Sequence, residues 1–153
     1  MEDTTTTGPG PERVAAPPPP GRQRAALAVP VLVAGAFVLL GFFNSMSNGH
    51  THRESASCHW MPLPWTIWAV AYGALAAAVA AVALRVVLGR SAKARGWSVD
   101  ASWHGRLATG FAVLGCLAVA VAAVAVYLTH DEAAHIAADV GRPMCEGLGL
   151  PGR

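Results

Sequence analysis

The chain has 153 residues, of which 54% are hydrophobic and only 13% charged, with a mean hydropathy of +0.41. Soluble domains carry close to a quarter charged residues, so this balance points to a membrane protein and away from an ordinary soluble domain. The net charge of +2, with no long basic block, excludes a surface built to follow a phosphate backbone, so no nucleic-acid partner is expected.

Residues 1–24 hold a Thr run, a Gly-Pro repeat and four consecutive prolines, Pro17–Pro20. With almost nothing apolar to bury, they are expected to form a disordered arm with a short polyproline II segment.

Three apolar runs follow, at about 25–43, 66–88 and 107–129. Each is long enough to cross a hydrocarbon core of about 30 Å as a helix. A helix is required because a lone strand in lipid would leave its backbone polar groups unpaired. The fold expected is an all-α membrane protein with three transmembrane helices making up a domain over 25–129, followed by a tail over 130–153. Pro30 is expected in the first turns of the first helix, where a missing N–H matters least. Within the second run, Arg85 lies near one end, where its side chain can reach the headgroups. A cleaved signal peptide is the competing reading of the first run. Its apolar core is longer than the roughly 7–15 residues usual there, which favours an uncleaved anchor.

Basic residues set the expected orientation. The segment 89–106 carries Arg90, Lys93, Arg95 and Arg106, and Arg22 and Arg24 precede the first run. With three spans these two segments share a side, and the positive-inside rule places both, with the N-terminus, in the cytoplasm. The 44–65 loop and the C-terminal tail then face outside. Ten Arg to one Lys, with two Ile and two Asn, suggests the plasma membrane of a high-G+C bacterium. The aromatics fit interfacial belts: Trp60, Trp65, Trp68, Phe42, Phe43 and Tyr127 at the outer ends, Trp97 and Trp103 at the inner ones.

Lipid provides no hydrophobic drive between helices, so association is expected through small residues. Four-residue ladders occur at Ala69, Gly73, Ala77 and Ala81, and at Ala108, Ala112, Cys116 and Ala120. They could join helices of one chain, two copies, or this chain and another membrane protein. The spans carry no Asp, Glu, Lys or His at their centres, which argues against a proton-coupled transporter built from this chain alone. Thr109, Tyr72 and Cys116 are the polar or soft residues inside them.

Ligand-type residues gather on the expected outer side: His50, His52, His59, His130 and His135, with Met46, Met61 and Met144, and Cys58 and Cys145. An oxidising compartment with two cysteines facing it makes a Cys58–Cys145 disulfide the leading expectation, tying tail to loop. The competing reading is copper or zinc held by His50, His52, Cys58, His59 and Met61, since thiolate, imidazole and thioether suit those metals. A bonded Cys58 would leave that donor set. The tail segment HDEAAH, 130–135, is not HExxH: its histidines lie five apart, about 140° around a helix. Intrahelical pairing with His135 accounts for Asp131 and Glu132. No nucleophile elbow, P-loop or dinucleotide fingerprint is present, so no enzymatic activity and no cofactor are expected. The function expected is structural or accessory, with the bilayer and a second copy or another membrane protein as partners. A holin-like oligomeric pore is a third reading, resting on size and small residues alone.

Overall fold

The computed structural model describes residues 20–96 and 103–139. Most of the expected N-terminal arm, the connection at 97–102 and the tail from 140 onward, with Cys145 and Met144, lie outside them. The described chain forms three α-helices: α1 Pro20–Ser57, α2 Trp65–Lys93 and α3 Trp103–Asp139. All three are long and apolar enough to cross a membrane.

The helices outrun the apolar stretches that announce them. At 1.5 Å per residue, the 38 residues of α1 span about 57 Å and the 37 of α3 about 56 Å, against about 44 Å for the 29 of α2. The segment 44–57, expected as loop, continues α1, and 130–139 continues α3. The hydroxyls of 44–57 find acceptors without leaving the helix: Thr51 at the Ser47 carbonyl (3.1 Å), Ser55 at that of Thr51 (2.8 Å) and Ser57 at that of Arg53 (2.9 Å). Packing adds to this, since His50 and Glu54 of α1 and Thr129 and Ile136 of α3 are buried. α1 ends where Cys58 takes the left-handed conformation, φ 54°. It also begins earlier than expected, at Pro20, so Pro30 lies well inside it rather than in its first turns.

α2 starts after Pro64, which is extended (φ −68°, ψ 139°). Arg90 and Lys93 occupy its last turn, where cations meet the negative end of the helix dipole. Gly96, at φ 70°, then turns the chain.

The core is built from small residues. One cluster joins Ala26, Val29 and Val33 of α1 to Ala81 and Ala108, and a second joins Ala36, Ala78 and Ala118. Rising numbers in α1 and α3 thus match falling numbers in α2, an up-down-up bundle. The helices come close at Gly115: a Cβ there would sit 3.3 Å from Val82 Cγ2 and 3.4 Å from Val33 Cγ2, so side chains of both other helices meet it.

The buried stripe is not the four-residue ladder read from the sequence. It runs Ala71, Ala74, Ala78, Ala81 on α2, and Gly105, Ala108, Gly115, Ala118, Ala122, Ala125, Thr129 on α3. Ala69, Cys116 and Ala120 are exposed. Four residues advance a helix by about 400°, so a strict four-residue ladder drifts about 40° per step and leaves the contact face. Alternating steps of three and four average 3.5 residues and stay on the seam of left-handed packing. Large apolar side chains, including Val31, Phe42, Val113, Leu117 and Val124, face outward, as a lipid-covered surface requires.

Candidate functional site

Charge separates along the bundle. Among the described residues, Arg24, Arg85, Arg90, Lys93, Arg95 and Arg106 lie toward one end, and Glu54, Asp131, Glu132 and Asp139 toward the other, where Arg53 is the one described arginine or lysine. The acidic end also holds the buried polar residues of the bundle: His50, Glu54 and Thr129.

His50 and Glu54 face inward one turn apart on α1. His50 Nε2 lies 3.3 Å from Glu54 Oε1, with side-chain exposures of 7% and 3%. The contact is close but not aligned as a hydrogen bond, and His50 Nε2 and Ser47 Oγ lack an aligned partner among the described residues. Glu54 is held from the other side, where the Met61 backbone N–H donates to Oε1 at 3.1 Å. One carboxylate thus ties the chain after α1 back onto the helix it has just left.

Glu132 of α3 lies beyond Thr129, where the apolar stretch ends, and is half-buried. Burial pushes its carboxyl above the usual range, His50 draws it back down and Glu54 pushes it further up. The expected pair of Asp131 with His135 does form, at 3.8 Å on the exposed face.

A cavity of about 340 Å3 opens beside this cluster, between Met46, His50 and Arg53 of α1 and Pro64, Thr66 and Ile67 at the start of α2.

The histidines of the candidate donor set differ in their surroundings. His50 is buried against Glu54, whereas His52 and His59 are exposed. The His59 ring donates from Nδ1 to the Ser57 carbonyl at 2.8 Å. Among the described residues, no group of three or more His, Cys, Asp or Glu side chains is placed to hold a metal ion. The physical reason is the helix: residues 50 and 52 sit about 200° apart around it, so they point to opposite sides. Cys58 ends the helix, and the expected bond to Cys145 lies outside the described residues. Cys116 is a free cysteine on the exposed face of α3.

Two further polar contacts join α2 to α3. Tyr72 Oη and His130 Nε2 share a hydrogen bond of 2.9 Å, and Trp68 meets the His130 ring edge-on at a centroid distance of 4.7 Å. Toward the basic end, Arg85 Nη2 donates to Thr109 Oγ1 at 2.7 Å, and Thr109 donates in turn to the Gly105 carbonyl at 2.9 Å. Arg85 reaches along its own helix over Gly89, where a Cβ would come within 3.0 Å of Nη1. Tyr72 and Thr109 stood out in the sequence as polar residues inside spans. Their pairing with His130 and Arg85 did not, because each partner lies on another helix.

No protein-family model matches this chain, and neither do the curated proteins or the solved structures.

Proposed function

We propose that this protein is a structural or accessory component of a membrane, exposing its acidic end outside the cell and its basic end to the cytoplasm. The observation that carries this reading is the division of its surface. Narrow Ala/Gly stripes hold the bundle together, broad apolar faces are left for lipid or another helix, and the extensions 44–57 and 130–139 project past the apolar stretches. The arginine-rich end supports the orientation by the positive-inside rule. Arginine dominance over lysine supports the plasma membrane of a high-G+C bacterium. In this reading Cys58 bonds Cys145, closing the outer end covalently. The partner is a second copy or another membrane protein that meets the exposed faces of the helices.

Two measurements test this. Intact cells are treated with a membrane-impermeant maleimide before and after reduction. Labelling at Cys58 and Cys145 only after reduction is expected; labelling without reduction rejects the disulfide, and protection in both conditions rejects the orientation. Photocrosslinkers at Leu117 or Val121 on the exposed face of α3 are expected to give one discrete protein adduct in the native membrane. Adducts with lipid alone would reject the accessory role.

A further inference from the structure

We propose that the cavity between the end of α1 and the start of α2 binds a phosphate group, free or carried by a lipid headgroup. This goes beyond the accessory role and holds for either orientation, which decides only the side from which the ligand comes.

Donors from two helices line this cavity, and no carboxylate does. α2 begins behind Pro64 with no side-chain cap and no acidic residue in its first turn. The Trp65 and Thr66 N–H groups have no acceptor within the helix, and they carry the positive end of a 29-residue dipole. Arg53 brings a full cation from α1 to the same cavity. Its guanidinium has no carboxylate partner among the described residues, because the neighbouring Glu54 is buried against His50 and the Met61 N–H. Ser45 and Thr66 add hydroxyls. His50 is the independent sign of a ligand. Its side chain lines the cavity at 7% exposure, and Nε2 has no aligned hydrogen-bond partner. Buried polar atoms are normally satisfied, and an acceptor held in the cavity satisfies this one. Neutral imidazole with its proton on Nε2 already offers that N–H, so no change of protonation is required.

This donor set selects an oxyanion with several oxygens. A guanidinium and helix N-terminal amides suit phosphate, whereas an apolar guest would leave the amides and His50 Nε2 unpaired. Glu54 opposes an anion here, and the Met61 N–H that donates to its Oε1 offsets part of that charge. The volume of about 340 Å3 equals that of about ten waters in the liquid, enough for a phosphate with its waters or with the glycerol of a headgroup. The depth is that of headgroups as well. Thr66 lies 11 residues from the middle of the 66–88 run (77 − 66 = 11), which is about 16 Å along α2. Half of a hydrocarbon core is about 15 Å. Trp65 is exposed at this level, where indole rings meet the lipid–water boundary.

Titration calorimetry of the full chain in an uncharged detergent tests this with two probes, inorganic phosphate and the water-soluble lipid dihexanoyl phosphatidylglycerol. Wild type is expected to bind at least one of them. Arg53→Gln deletes a charge-assisted hydrogen bond at an exposed position and is expected to weaken binding about tenfold or more. Thr66→Asp puts a tethered carboxylate in the first turn of α2. It is expected to abolish binding while Tm stays level or rises, a pairing that a damaged fold would not give. Arg90→Gln removes the same charge at the far end of the bundle and is expected to leave binding unchanged. Tighter binding of the lipid, with the same dependence on Arg53, assigns a headgroup, and phosphate binding at least as tight assigns the free ion. If wild type binds neither probe, or if Arg53→Gln and Arg90→Gln bind alike, the site is overturned.

Discussion

Glu54 and Met61 are joined across the end of α1: the Met61 backbone N–H donates to Glu54 Oε1 at 3.1 Å, although seven residues separate them. The same oxygen lies 3.3 Å from His50 Nε2. A single carboxylate therefore fixes the exit of α1, the path toward α2 and the position of a buried histidine.

Glu54→Ala removes both contacts and leaves the part-buried Met61 N–H without its acceptor. A loss of about 1–3 kcal/mol in stability is expected. Glu54→Gln, which keeps an acceptor oxygen for Met61, is expected to lose less. Thermal unfolding in one detergent compares the two; equal losses would show that the N–H bond contributes nothing.

The small-residue seam predicts a contrast between neighbours on one helix. Ala78 is buried in the second core cluster, whereas Ala80 is exposed. Ala78→Leu overpacks the seam and is expected to destabilise the bundle by about 1–3 kcal/mol. Ala80→Leu, facing lipid, is expected to change stability little. Reversal of that order in a steric-trapping measurement would place the helix faces differently.

Thr109→Val keeps the shape of the side chain and deletes the acceptor for Arg85. Interhelical hydrogen bonds in membranes average about 0.6 kcal/mol, and a loss of that size, up to about 1.7, is expected. Steric trapping reads it directly, and a more stable variant would mean that Arg85 finds a better partner elsewhere.

Glu132 makes stability depend on pH with a definite sign. Its carboxyl is raised in the folded protein, chiefly by burial. The folded state therefore binds the proton more tightly than the unfolded one. This stabilising contribution is complete below the unfolded value and is lost as pH rises through the folded one. Glu132→Gln is expected to raise Tm at pH 8 relative to wild type and to flatten the dependence between pH 4 and 8. A variant that melts lower than wild type at pH 8 would show that the charged form is the stabilising one.

Hydropathy was enough to find three helices, each long and apolar enough to cross a membrane, because the cost of unpaired backbone in lipid leaves no other solution for such runs. It was equally enough to separate a basic end from an end rich in histidine and acid. It failed at the helix ends. Residues 44–57 look like a loop because polarity marks where water begins, and water does not end a helix that has a neighbour to pack on.

Contacts between helices settled the rest. Periodicity in α2 and α3 is ambiguous when alanine fills most positions, so the choice between a four-residue ladder and the 3.5-residue seam waits for a partner helix to select the face. Helix geometry divided the five-residue donor set of His50, His52, Cys58, His59 and Met61, with His50 turned inward and His52 and His59 outward. Glu132 shows the same limit from the other side. Its spacing to His135 offered a local partner, yet its carboxyl is raised chiefly by burial, with His50 and Glu54 of α1 also acting on it. Local spacing follows from the 3.6-residue turn of one helix. Which carboxylate loses its water depends on how two helices meet.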